Sequence, residues 1–428
     1  MSLKALNNAI ERRVYWYSRL WKNIRGLRDR IVYRLKYASK YPTQENLILF
    51  ESYWGKQFSD SPKALFEEML RDQYFKDYSF IWVFKDPDSS SKLVKSQINN
   101  DRINFVQYQS EEFFAACSSA KYIIRNVRFP DQIIRKKDQV HIQTWHGTPL
   151  KRLVHDVVVD PTDPSRKRNL ARLNQLFDRD TKKYSYFLSP SKYATDIFRS
   201  AFRIEKFFPH KDIMVEEGYP RNDYLINCRN DAAEVSRIKS RLGICSRKKV
   251  VLYAPTWRDG HRDESLGFTH NLHLDFDRLS QQYKNTHVFV FRTHYHIASN
   301  FDFERYGDFI VNASDYHDIN HLYLVSDALI TDYSSVFFDY ANLERPILFY
   351  MYDLEEYRGQ TRGFYLEIED LPGPIARTEE ELMDALSRLE EYDEHYRKHY
   401  RAFNDRFNYL DDGKASQRVI SRIFKDNI

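Results

Sequence analysis

A chain of 428 residues with 30% charged and 16% aromatic residues has room for two domains with full cores and is too rich in aromatics to be disordered. No uncharged apolar run approaches the ~20 residues a spanning helix requires, which excludes a polytopic membrane protein, and the formal charge of +5 is modest for this length. Cys117, Cys228 and Cys245 are scattered and without ligand spacing, so they fit reduced packing residues in a cytosolic protein better than a disulfide framework.

The charge is concentrated at the start. Residues 1–40 carry Lys4, Arg12, Arg13, Arg19, Lys22, Arg25, Arg28, Arg30, Arg34, Lys36 and Lys40 against Glu11 and Asp29, which leaves the rest of the chain slightly acidic. A basic end on a near-neutral body points to an anionic surface as partner. Ile10, Val14, Tyr17, Leu20, Trp21, Ile24, Leu27, Ile31 and Leu35 recur at spacings of three or four, which predicts an amphipathic helix within residues 1–45. Trp16 and Trp21 are rings of the kind that sit at a headgroup boundary. Two readings stay open: a helix lying in the membrane plane, and a helix packed on its own protein or on a partner chain, since the spacing is nearly heptad. No short apolar core leads into a small-residue cleavage site, so no signal peptide is expected.

From residue 46 the pattern becomes alternating strands and helices. Strands are predicted at 46–50, 80–84, 103–106, 122–124, 140–144 and 186–188, with a helix starting near Ser61-Pro62. Residues 151–183 mix basic and acidic residues without clear periodicity and read as an irregular excursion on the cleft side. The alternation pauses near residue 218 and restarts with strands at 249–253, 287–291, 309–311, 328–330 and 346–349. Thr378 and Glu381 form a capping-box pattern that opens a helical C-terminal segment. Two successive βαβ sets predict an α/β chain of two Rossmann-like domains, 46–225 and 226–428, facing a central cleft, with the last helix free to pack back on the first.

Four strand ends carry unusual polar residues. Trp145-His146-Gly147-Thr148-Pro149 ends a strand with a His in the cleft, a candidate general base, beside a Gly that permits close backbone approach. Tyr253-Ala-Pro-Thr-Trp-Arg258 and Phe291-Arg292-Thr293-His294 each place a cation just past a strand, suited to an anionic ligand or to a surface ion pair. Leu329-Ile-Thr-Asp-Tyr-Ser-Ser335 leads into a helical run from Val336 to Glu344, a phosphate site without a glycine-rich loop that is compatible with capping by Ser334 or Asp332. Asp86-Pro-Asp88, Asp178-Arg-Asp180 and Asp275-Phe-Asp277 are acidic triplets that arise easily by chance, and no metal is expected. Neither GxxxxGK[ST] nor GxGxxG occurs, and no cofactor is expected.

Six motifs in order carry a resemblance. They are Glu51-Ser-Tyr-Trp-Gly-Lys-Gln-Phe-Ser-Asp-Ser-Pro-Lys-Ala64, Thr144-Trp-His-Gly-Thr-Pro-Leu-Lys151, Gly218-Tyr-Pro-Arg-Asn-Asp223, Tyr253-Ala-Pro-Thr-Trp-Arg258, Arg292-Thr-His294 and Thr331-Asp-Tyr-Ser-Ser-Val336. Together they resemble the CDP-glycerol glycerophosphotransferase family of teichoic-acid and capsule polymerases, from about residue 46 onward. By its length the chain is expected to hold the catalytic module without the large additional domain that some capsule polymerases carry.

The resemblance implies a GT-B fold, a CDP-glycerol or CDP-ribitol donor, and a lipid-linked saccharide or polyol-phosphate acceptor. It also implies peripheral attachment to the cytoplasmic face of the membrane. By that likeness His146 is the base and His294 contacts the donor phosphates. Pro255, Thr256, Arg258, Arg292, Thr331, Asp332, Ser334 and Ser335 line the donor side, and Gly55, Lys56, Ser59, Gly147 and Thr148 the acceptor side. No nucleic-acid partner is expected, and a homo-oligomer stays open. The donor polyol stays open too, as do a GT-B sugar transferase, a nucleotide-sugar epimerase and a basic membrane adaptor.

Overall fold

The computed structural model describes residues 21, 24–159, 163–256, 274–293, 301–355, 357 and 363–426. Arg258, His294 and residues 1–20 of the basic segment lie outside the described residues.

Short β-branched and aromatic runs form two parallel sheets, as expected of strands joined by helical crossovers. The first contains β1 (Gln44–Glu51), β2 (Ser79–Phe84), β3 (Ile103–Gln107), β4 (Ala120–Arg125), β5 (Val140–Gln143), β6 (Tyr186–Ser189) and β7 (Met214–Glu216), in the order β3-β2-β1-β4-β5-β6-β7. The second contains β8 (Lys249–Tyr253), β9 (His287–Phe291), β10 (Ile310–Asn312), β11 (Ala328–Thr331), β12 (Ile347–Tyr350) and β13 (Ile375–Ala376), in the order β10-β9-β8-β11-β12-β13. Strand order reverses between β1 and β4 in one sheet and between β8 and β11 in the other, and crevices open at the carboxyl ends of such strands. Each of the four predicted polar strand ends lies at a carboxyl end, after β5, β8, β9 or β11.

The central strands are apolar on both faces because helices cover both. Leu49, Ile123 and Phe187 pack on one side of the first sheet, with Phe113 and Phe198. Ile48, Phe50 and Trp82 pack on the other, with Phe66 and Met69. That second cluster also takes in Val419, Ile420, Ile423 and Phe424, so the chain's last described helical residues return to the first half. Phe424 packs on Tyr122 with tilted rings whose centroids lie 4.4 Å apart, and Lys425 pairs with Asp72 at 2.6 Å.

Several local expectations need correction. Residues 151–183 are not irregular: Pro164–Thr181 is an 18-residue helix, N-capped by Asp163 with Pro at its first turn. Only Asp180 and Thr181 are fully buried, and its short apolar row of Leu170, Leu173 and Phe177, the last packed on Phe202, is set in a stretch of mixed charge that obscures it. The run after Ser335 is helical only over Val336–Tyr340, then tightens into a 3₁₀ turn at Ala341–Leu343. The capping box of Thr378 and Glu381 is present.

Residues 24–33 are helical and run into a π-helical turn, Arg34–Ala38. Tyr33 and Tyr37 are the docking side chains, packed on Phe114 of the helix Glu111–Ser119. The predicted stripe points the other way: Ile24, Leu27, Ile31 and Leu35 are all exposed, Leu35 to 69%. In the described part the stripe is therefore not packed on the chain's own body. No described helix is long and apolar enough to cross a membrane.

Candidate active site

The site is built on the ends of β1, β4 and β5, with the second sheet facing them. Beneath it, Glu51 and Arg125 close β1 and β4 with a fully buried ion pair. The next residue after Arg125 is Asn126, and it serves three partners. Its Oδ1 accepts from the Tyr53 backbone N–H at 2.9 Å, its Nδ2 donates to Asp60 at 3.0 Å, and its carbonyl lies 2.7 Å from His146 Nδ1. A carbonyl only accepts, so Nδ1 of His146 carries the proton and Nε2 keeps its lone pair. The backbone orients the ring as well. Trp145 has φ 54°, its N–H is taken by Gln143, and its indole stacks on the imidazole at 4.5 Å.

His146 presents its outer edge to solvent, while the side toward Asn126 is enclosed by protein. That crowding pushes its pKa below the ordinary value, and the Asn126 carbonyl and Asp60 pull partly the other way. A neutral imidazole with a free Nε2 near pH 7 is what a general base needs.

Gly147 meets the second half directly. A Cβ there would lie 3.1 Å from Ser335 Oγ, so the close approach that glycine permits is to Ser335. Gly55 is needed for a different reason. Its φ is +75° and a Cβ would stand 2.9 Å from the Lys85 backbone nitrogen. Next to it opens a cavity of about 360 Å³ lined by Tyr53, Lys56, Ser59 and Asp60 from the first half, and Arg292 and Asp318 from the second. Arg221, on the crossover between halves, also borders it.

On the second half, the turn after β11 is laced to the end of β8. Thr331 Oγ1 donates to the Ala254 carbonyl at 2.8 Å, and Asp332 accepts from Thr256 N–H and Oγ1 at 2.8 and 2.7 Å. Asp332 is thus a tie between motifs and not a helix cap. The N-cap position belongs to Ser335, which makes no side-chain capping bond. The helix it opens has five residues, little more than a turn, so its dipole is small. Arg292 spends part of its fork on the β10 loop, donating to the carbonyls of Ala313, at 2.9 Å, and Ser314. Thr148 is buried, and Ser59 shares its hydroxyl with Gln57 at 3.1 Å.

The acidic triplets have structural roles. Asp86 and Asp275 cap helices, Asp178 pairs with His155 at 2.7 Å, and Asp180 accepts from Tyr184 at 2.6 Å. Among the described residues no cluster of metal-ligating side chains occurs.

Reading the sequence for function missed Tyr53, Asp60, Asn126 and Arg221. Asp60 and Arg221 stand inside two of the six motifs, but nothing in their spacing says that they meet. Asn126 has no sequence signal, since its work is done partly by a backbone carbonyl.

The sequence profile of a family described as CDP-glycerol:poly(glycerophosphate) glycerophosphotransferase matches residues 31–425. A teichoic acid poly(glycerol phosphate) polymerase of Staphylococcus epidermidis is 41% identical over 89% of this chain, and the chain spans 50% of that relative's length. A protein of the same name from Bacillus spizizenii is 39% identical over 92% of this chain and 95% of its own. A solved structure of the wall teichoic acid polymerase TagF, soaked with CDPG, is 37% identical with a TM-score of 0.81, covering 96% of this chain and 98% of that one. A poly(ribitol-phosphate) polymerase of Bacillus spizizenii is more distant, at 27% identity over 89% of this chain and 56% of its own.

Proposed function

The chain belongs to the CDP-glycerol:poly(glycerophosphate) glycerophosphotransferase family, and from that premise we propose that it transfers glycerol phosphate from CDP-glycerol to the hydroxyl end of a lipid-linked teichoic-acid-type acceptor. The observation that carries the reading is His146: its proton is fixed on Nδ1 by the Asn126 carbonyl, its Nε2 is left basic, and its neighbour Gly147 faces Ser335 so closely that a Cβ would stand 3.1 Å from the hydroxyl. Glycerol is favoured over ribitol because relatives named for poly(glycerol phosphate) share 39–41% identity, against 27–29% for those named for ribitol phosphate.

In this reading the acceptor oxygen attacks the phosphorus that bears glycerol. The new P–O bond forms as the P–O bond to CMP breaks, and the acceptor's proton passes to His146 Nε2. CMP departs with the negative charge of the broken bridge. Ser334 and Ser335 donate to the donor phosphates, and Arg292 supplies positive potential from the rim. Arg258 and His294 join them by family likeness. Lys56 and Tyr53 border the side from which the acceptor enters. Such a site works by positioning and charge stabilisation, which supply most of the catalysis in phosphoryl transfer.

We further propose that the chain sits on the cytoplasmic face of the membrane through residues 1–40. The exposed Ile24, Leu27, Ile31 and Leu35, flanked by Arg25, Arg28, Arg30 and Arg34, suit a layer that is apolar below and anionic above.

The test is incubation of the purified chain with CDP-glycerol labelled in the glycerol, plus a lipid-linked glycerol-phosphate acceptor. Label should enter the lipid fraction with CMP released in equal amount. Release from CDP-ribitol alone would reassign the donor, and transfer from a UDP-sugar would overturn the reading.

A further inference from the structure

The motif Gly218–Asp223 lies where the chain crosses from the first half to the second, and the transfer chemistry leaves it without a role. The crossover is clamped on several sides. Gly218 has φ +86°, and a Cβ there would stand 2.8 Å from the Leu410 carbonyl. Asn222 donates to Asp411 at 2.6 Å, and Asp223 accepts the N–H groups of Ala415 and Ser416 at 2.8 and 2.7 Å. The Arg221 carbonyl accepts from Asn320 at 2.7 Å.

The Arg221 side chain is buried and faces both halves at once. Nη2 donates to the two oxygens of Asp339 at 2.8 and 2.7 Å, and Nη1 reaches Asp60 Oδ2 at 3.4 Å. Each of these carboxylates adjoins a different part of the site. Asp60, held at φ 66°, accepts from Tyr53 Oη at 2.6 Å and from Asn126, whose carbonyl orients His146. Asp339 lies on Val336–Tyr340, the helical turn that Ser335 opens. One planar cation therefore links the support of the base to the support of the serines. Such a fork sets distance and angle together, and removing it leaves two buried carboxylates uncompensated.

We propose that Arg221 is a positioning residue for the transfer, holding the half-site of His146 in register with the half-site of Ser335. The proposal rests on the transfer reading above. It acts through Asp60 and Asp339 and needs no contact between Arg221 and the donor. The aligned approach of two half-sites is the kind of geometry whose loss by about 1 Å costs ~10²-fold in rate.

The experiment uses the full chain, with Arg221→Lys to keep the charge but lose the fork, and Asp339→Asn to keep Arg221 but weaken its hold. Three quantities are read: CMP release, CDP-glycerol affinity by calorimetry, and amide hydrogen exchange without substrate. In both variants kcat should fall about 10²-fold while donor Kd stays within about threefold. Exchange should rise together in residues 145–148 and 334–338. Weakened donor affinity with kcat retained would make Arg221 a ligand contact and overturn the proposal. A lower melting temperature with unchanged kcat per folded molecule would make it merely structural and overturn it as well. If the unaltered chain releases no CMP, the transfer reading fails on its own; the exchange result still decides whether Arg221 couples the two segments, and no change in either would sink the coupling.

Discussion

Replacing His146 with alanine separates catalysis from folding in this protein. The ring makes one hydrogen bond, to the Asn126 carbonyl at 2.7 Å, stacks on Trp145 at 4.5 Å and meets Tyr53 edge-on at 6.0 Å. Its outer edge is open, so water can reach the freed carbonyl, and the loss of fold stability should be only about 1 kcal/mol. Loss of a general base costs ~10²–10⁴ in rate, or roughly 3–5 kcal/mol of transition-state stabilisation. Turnover of His146→Ala should therefore fall by that factor while urea midpoint and CDP-glycerol affinity stay near those of the unaltered chain. The pH profile adds a second check. Burial lowers the His146 pKa, so the base is neutral and active above that lowered value and is lost as pH falls through it. The acid limb of kcat/KM should have its midpoint below the ~6.5 of an ordinary imidazole and be absent from the variant's residual activity. Turnover within about threefold of the unaltered chain, or an acid limb that survives the substitution, would remove His146 from the reaction.

Ser335→Ala should weaken CDP-glycerol binding roughly 10–100-fold by calorimetry, the worth of one hydrogen bond to a charged group; unchanged affinity with altered acceptor kinetics would move the serine to the other substrate. His141 is buried on Phe129 with neither ring nitrogen bonded, and burial first, then Arg135, Lys183 and Arg125, hold its pKa well below the ordinary value. Its contribution to stability is thus present above pH ~6.5 and lost below it by up to about 1.4 kcal/mol per pH unit, so His141→Phe should flatten the decline in urea stability between pH 7 and 5; an unchanged slope would refute this. Changing Leu27, Ile31 and Leu35 together to serine should reduce binding to phosphatidylglycerol vesicles by roughly 10²-fold while leaving turnover on a short soluble acceptor intact. A change in mass by light scattering, with vesicle binding unaltered, would instead make the stripe a contact between chains.

Much was decided locally. Strands such as Lys249–Tyr253 and His287–Phe291 announce themselves as apolar runs, and parallel pairing then puts the residues after each strand on one edge of the sheet. The Thr378 capping box reads directly because its two partners are three residues apart. The His of Trp145-His146-Gly147 and the serines after β11 were legible for the same reason: a strand end carries its own position. The helix Pro164–Thr181 was not, although Asp163-Pro164 is a sound start signal, because its short apolar row of Leu170, Leu173 and Phe177 is set in a stretch of mixed charge. Met214–Glu216 is too short to show a period. The tertiary structure decided the contacts that depend on distance between remote residues. It set the proton on His146 through a carbonyl 20 residues earlier, and took Asp332 away from a cap and gave it to Thr256. It turned Tyr33 and Tyr37 inward and the aliphatic stripe outward. It also placed Arg221 between Asp60 and Asp339, partners 161 and 118 residues away. Periodicity reports which face of an element is apolar; which charges meet in the dark between two sheets depends on how those sheets pack.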